Sequence, residues 1–316
     1  MLDKIDKKLL LLLVKNSRTP ISVIAKKARI SRDLANYRIS RLSKSGIIRD
    51  FTTDIDTKKL GFVSAVLFIS ISVEKEKEFI DYINNLDFVS WAGTHMGLWS
   101  LGMAIYGSSI KEIELQFQKI FSKYKDNISN HQFEFYNTTN FFTEKYFGEL
   151  FTHSENKFID YKIDSHDKLI LKYLSKNSRM TTVELSNILP LTPPAIANRI
   201  SKLEKSGFIK GYSVYIDVFK LNLYSFVFFI RNKHLDNRNK LFTYLKSHKH
   251  VSMLLDYVGD PFIEFSLFAD DPYKIRSILQ EIKELFPENE LLDFFMTQED
   301  FISFGAPDCI FNYLEK

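Results

Sequence analysis

Arg32, Asp33, Asn36 and Tyr37 are spaced to project from one side of a short helix, and together they form a set suited to base edges. An arginine can bond guanine through two parallel donors, an asparagine can do the same with adenine, and a carboxylate can accept from cytosine. Arg38 and Arg41, with Lys44 and Arg49 beyond them, are cations of the kind that hold phosphate and fix register without reading sequence. Arg38 and Arg41 are equally open to a plainer reading, as solvated charges on a helix surface.

Charge by segment favours the polyanion reading. Residues 1–60 hold 15 Lys and Arg against 6 Asp and Glu, a net of +9, whereas residues 61–159 hold 8 against 12. Residues 160–220 return to 10 against 6, and residues 221–316 fall to 10 against 15. The whole-chain value of +4 hides this alternation. It is the pattern of two modules that face a polyanion and two that do not.

The alternation reflects a repeat. Lys15-Asn16-Ser17-Arg18 recurs as Lys176-Asn177-Ser178-Arg179, and Arg38-Ile39-Ser40 as Arg199-Ile200-Ser201, at a constant shift of 161 positions. Lys44-Ser45-Gly46 meets Lys205-Ser206-Gly207 under the same shift. The repeat carries the helix patterning with it. Each copy opens with apolar residues on one helical face: Ile5, Leu9, Leu12 and Leu13, then Leu169, Ile170, Tyr173 and Leu174. A second short helix is expected over 21–28 and 182–188, and a third starts at a capping Ser31 or Thr192. Gly46 and Gly207 stop the third helix, and strand-like segments 47–55 and 208–216 follow. Three short helices and a β-wing make a winged helix-turn-helix, whose second helix of the pair lies in the major groove.

The second copy presents Pro193, Pro194, Ala195, Ala197, Asn198, Ser201 and Lys202 where the first presents its base-reading set. Asn198, Arg199, Lys202, Lys205 and Lys210 are its candidate DNA contacts, chiefly to backbone. A structural or dimerising role for this copy stands beside the phosphate-clamp reading.

These motifs also carry a family resemblance. "LDKIDKKLLLLLVKNSR" and "IDSHDKLILKYLSKNSR" look like the opening helix of the Lrp/AsnC, or feast/famine, regulators of bacteria and archaea. "ISRDLANYRISRLSKSGII" and "LTPPAIANRISKLEKSGFI" resemble that family's recognition helix, and "IDTKKLGF" its link to an effector domain. The resemblance covers nearly the whole chain twice over. It implies a DNA-binding transcription regulator whose partner is double-stranded DNA, with a small-molecule effector such as an amino acid. The duplication departs from the family's ordinary form and implies an intrachain pseudo-dimer or a homo-oligomer.

Strands at 63–73, 88–95, 98–106 and 128–136 alternate with helices at 74–85 and 109–124, and the order recurs from residue 224. Each half reads as a ferredoxin-like βαββαβ unit. The expected fold is therefore α+β, with winged helix-turn-helix domains at 1–60 and 160–220 alternating with effector domains at 61–150 and 221–308. In the related regulators the ligand lies near the turn between the middle strands. Here the resemblance assigns that role to His95, Gly97 and Trp99 in one half and to Gly259, Asp260 and Phe262 in the other. Each set is also compatible with an ordinary hairpin and core aromatics.

One cysteine, Cys309, excludes an intrachain disulfide, and no Cys/His cluster suggests zinc. No cofactor is expected. The apolar run 9–14 ends at Lys15 and reads as helix core, and 224–230 is far below the roughly 20 residues of a membrane span. A cytoplasmic, non-enzymatic protein is the expectation. Two alternatives remain: a sensing or assembly module without promoter binding, and an enzyme of the siroheme decarboxylase type, which resembles this architecture. His95 is the sole suggestive proton donor for the latter.

Overall fold

The computed structural model describes residues 2–151, 158–232, 235–258, 262–303 and 305–314. The first copy opens with α1 (Lys4–Lys15), α2 (Ile21–Ala28) and α3 (Arg32–Lys44), followed by β1 (Ile48–Ile55). Its partner comprises α6 (Ser165–Lys176), α7 (Thr182–Ser186), α8 (Pro193–Lys205) and β6 (Ile209–Ile216). Both opening helices start with the same reciprocal cap. Asp3 and Asp6 exchange backbone and side-chain bonds in α1, as Asp164 and Asp167 do in α6. Gly46 and Gly207 have φ near +72° and +75°, the left-handed turn that lets α3 and α8 stop where the strands must begin.

Each copy has a single wing strand, and the two strands pair with each other. β1 runs antiparallel to β6, with Thr52 opposite Ser213, its own counterpart in the repeat. The cores are exchanged as well. Val214 and Ile216 of β6 pack into the core formed by Leu9, Leu13, Ile24, Ala35 and Ile39, while Ile55 of β1 joins the core around Ile170, Ile196 and Ile200. Neither winged helix has a complete core without a strand from the other, so the pseudo-dimer is built into one chain.

The first effector half contains β2 (Val63–Ile71), α4 (Val73–Ile83), β3 (Val89–Gly97), β4 (Leu101–Gly107), α5 (Ile110–Tyr124) and β5 (Ile128–Phe141). The second contains β7 (Tyr224–Asn232), α9 (Leu235–Ser247), β8 (Val251–Tyr257), β9 (Phe262–Ala269), α10 (Pro272–Leu285) and β10 (Asn289–Ile302), and α11 (Asp308–Leu314) follows. Short 3₁₀ turns at Thr143–Phe147 and Phe219–Leu221 complete the connections.

The two sheets close into one barrel in the order β10-β3-β4-β2-β5-β8-β9-β7. β5 runs five residues beyond the expected end at 136, and β10 is equally long, because the extra length serves the other half. Residues 136–141 pair with β8, and residues 295–302 pair with β3. Helices cover the outer faces over two cores, and an aromatic cluster containing Phe68, Trp99, Phe229 and Phe295 fills the space between the sheets. Among the described residues no helix is long and apolar enough to cross a membrane.

Candidate nucleic-acid interface and effector core

The Ser31 hydroxyl accepts from the Leu34 amide at 3.2 Å and so starts α3. Ala35, Ile39 and Leu42 are buried on its inner face. That rotation turns Arg32, Asp33, Asn36 and Tyr37 outward, and Tyr37 is 65% exposed. Lys44 is exposed at the last turn. These are the sequence-assigned residues whose side chains are free to reach a groove.

The arginines behind them have other duties. Arg38 donates to Asp3 at 2.6 Å and to Asp6 at 3.0 Å, and its side chain is only 16% exposed. Arg41 reaches the other oxygen of Asp6 at 2.6 Å while staying about half exposed. Asp6 is 1% exposed, and a buried carboxylate requires such partners. Arg38 therefore locks α3 onto α1, and Arg41 shares that task while keeping a face to solvent. The Arg38 guanidinium in turn holds the Asp3 carboxyl below the usual range, helped by the Asp6 amide. Arg199 repeats the clamp on Asp164 at 2.8 Å and Asp167 at 2.9 Å, with the Tyr161 hydroxyl on Asp167 at 2.7 Å.

Arg49 donates to the Asp300 carbonyl, and Lys210 pairs with Asp54 at 3.2 Å, so the wing cations face the barrel and the opposite strand. Asn198, Lys202 and Lys205 are exposed on α8. Lys202 lies 5.6 Å from the centre of the Tyr161 ring, in the segment leading into α6.

In the barrel, His95 and Trp99 of the first hairpin are packed inward, while Gly97 is exposed. The His95 ring stacks 3.9 Å from that of Phe295 and lies between it and Trp91. The side chain is 5% exposed, and neither ring nitrogen has a hydrogen-bonding partner among the described residues. Burial presses its pKa down to about 3. The Trp99 indole is also buried, 6.3 Å from Phe68, and its N–H has no partner among the described residues. Gly97 ends β3 close against Phe295. Gly259 and Asp260 lie outside the described residues, as does the side chain of Phe262, whose backbone opens β9.

The two hairpins have one register at a shift of 162: Gly93 faces Gly102 as Leu255 faces Glu264. His95 therefore corresponds to Tyr257, and Gly102 to Glu264. In the second half the Tyr257 hydroxyl donates to buried Glu264, whose pKa burial raises to about 7. In the first half the glycine supplies no such group and leaves room for the imidazole. A methyl built on Gly102 would stand 2.7 Å from His95 Cε1.

A further cluster joins the wings to the barrel. The Asp300 carboxylate accepts from the Trp91 indole N–H at 2.9 Å and from the Tyr215 hydroxyl of β6. No local motif announces it, because Trp91, Tyr215 and Asp300 lie on three distant strands.

Comparison with known proteins agrees with this architecture. The winged helix-turn-helix DNA-binding family matches residues 2–49 and again 163–210. The HTH-type transcriptional regulator LrpA of Bacillus subtilis is 36% identical over 138 residues, 42% of this chain and 87% of that protein. The chain belongs to the Lrp/AsnC family. An uncharacterized HTH-type transcriptional regulator of Pyrococcus horikoshii, PH0061, is 34% identical over 127 residues, 39% of this chain and 86% of its own length. Another uncharacterized regulator, from Pyrococcus furiosus, is 60% identical over 55 residues, and the match spans only 36% of its length. The crystal structure of the siroheme decarboxylase NirDL aligns over 99% of this Lrp/AsnC chain and 97% of that one, with a TM-score of 0.65 at 13% identity. That likeness is one of fold.

Proposed function

We propose that this Lrp/AsnC chain is a transcription regulator that occupies duplex DNA, with α3 in the major groove. The observation that carries the reading is the outward set Arg32, Asp33, Asn36 and Tyr37 at the N-terminal end of α3, on a segment with nine excess positive charges. Occupancy responds to a small molecule of the amino-acid class at the hairpin between β3 and β4. Support for that part comes from His95 and Trp99, whose buried nitrogens have no partners among the described residues and would gain from a ligand's polar groups. Both side chains are covered, so a ligand must displace part of the hairpin to reach them.

The protein acts without catalysis in this reading. His95 stays neutral in its ring stack and is a poor proton donor near neutral pH. Phe68, Trp91 and Phe295, the rings around it, bring no cation to hold a substrate carboxylate.

The test is fluorescence anisotropy of the full chain on DNA upstream of its own coding region and on unrelated duplex, over a salt series. Tighter binding to the upstream fragment is expected, with log affinity falling linearly in log salt by roughly 0.9 per phosphate contacted. Equal affinity for both fragments would reduce the protein to a non-specific binder, and no salt-dependent binding to either would sink the reading. Adding each amino acid in turn tests the effector, whose signature is a shift in DNA affinity that His95→Leu abolishes.

A further inference from the structure

We infer that the protein reads an asymmetric DNA site, recognising bases in the half under α3 and gripping only backbone in the half under α8. The inference rests on the DNA-binding reading above and adds the form of the site. A symmetric dimer offers two identical recognition helices, so its site is a palindrome. Here the paired wings and the closed barrel impose the dimer's geometry on one chain, and a single chain can hold two different helices in those places.

The differences fall where bases would be read. Under the repeat shift of 161, Arg32 and Asp33 become Pro193 and Pro194. Both prolines lie in the first turn of α8, so that turn loses two backbone N–H groups along with two polar side chains. Asn36 becomes Ala197, which can offer at most an apolar contact to a thymine methyl. Asn198, in place of Tyr37, is the one amide left at the exposed N-terminal end.

The positions that hold the helix or reach phosphate are kept. Arg38 and Arg199 make the same clamp on the first helix of their copies, so α8 is docked as α3 is. Arg41 and Lys44 correspond to Lys202 and Lys205, and all four are exposed. A module decaying as a whole would lose its clamp and its cations too. Loss confined to the base-facing positions leaves a helix that presents positive charge and little sequence discrimination.

The experiment selects bound duplexes from a random pool with the full chain, then scrambles each half of the recovered site separately. Scrambling the α3 half is expected to weaken binding by about 100-fold or more, as loss of several base contacts should. Scrambling the α8 half should change it by less than about threefold, while Lys202→Ala with Lys205→Ala weakens binding to every sequence alike and lowers the salt slope. The combined change Pro193→Arg, Pro194→Asp, Ala197→Asn and Asn198→Tyr should shift the preference to a palindrome of the α3 half. A palindromic site selected by the unaltered chain, or equal losses from the two halves, would overturn the inference while leaving the regulator reading intact. Recovery of no duplex would end both.

Discussion

The Ser17 hydroxyl meets the Ser178 hydroxyl at 2.6 Å, and these residues are 161 positions apart, the interval of the repeat. A residue that touches its own counterpart lies on the axis relating two copies. The surroundings obey the same axis. Arg18 donates to the carbonyls of Ser178 and Met180, and Arg179 to those of Ser17 and Thr19. Arg18 lies over the Tyr212 ring and Arg179 over that of Phe51, again counterparts of each other.

The first prediction concerns that contact. Both serines are fully buried, so Ser17→Ala leaves the Ser178 hydroxyl without its partner, at a cost of roughly 1–3 kcal/mol. Ser178→Ala should cost about the same. The double variant should lose less than the sum of the two, because no orphaned hydroxyl remains. Urea unfolding of the four proteins measures this, and additive losses would show that the hydroxyls do not depend on each other.

The second concerns the clamp between α1 and α3. Asp3 titrates below its ordinary value chiefly because Arg38 bonds its carboxylate. A depressed carboxylate pKa contributes stability that is present above the unfolded value, about 4, and is lost as pH falls through the folded one. Unfolding between pH 5 and pH 2 should therefore show this loss in the parent chain, and Arg38→Gln should flatten that part of the profile. An unchanged slope in the variant would count against the clamp. The same substitution at neutral pH should loosen α3 and weaken binding to all DNA sequences together.

How much of this was legible from the sequence follows the distance over which each feature is encoded. The third helices, their caps and stops, and the 161-residue interval are local or repetitive, and each appears where Ser31 and Thr192, and Gly46 and Gly207, imply. The inward turn of Arg38 has a local cause in the recurring aspartate of the first turn, which is buried in both copies and needs a cation. The wing could not be foreseen as a pair of strands from opposite copies, nor β5 and β10 as long strands, because their partners lie more than 100 residues away. His95 stands out in the sequence for its chemistry, but the space it occupies depends on Gly102 across a hairpin. The interval there is 162 and no longer 161, so the comparison with Tyr257 and Glu264 emerges from strand register.

The third prediction concerns that imidazole. Two buried ring nitrogens without partners among the described residues make His95 a cost to folding, so His95→Leu, which removes them at similar volume, should stabilise the chain by about 1 kcal/mol or more. Urea midpoints read the change. A loss of stability would mean that the imidazole bonds a group, such as an ordered water, and that the stack is satisfied.

The fourth prediction uses the counterpart of that site. Glu264 is buried beneath Tyr257 with its pKa raised to about 7, so the folded chain holds its proton more tightly than the unfolded chain. Between the unfolded value near 4.5 and pH 7 the unfolded state binds fewer protons, and stability must fall as pH rises. Above pH 7 the loss is complete. Glu264→Gln keeps an acceptor for the tyrosine and removes the titration, so it should erase this slope and leave the variant more stable at pH 8 by up to about 3 kcal/mol. Below pH 4.5 the two proteins should match. A variant less stable at pH 8 would show that the ionised carboxylate is stabilised in place, which would require a cation or water beside Tyr257.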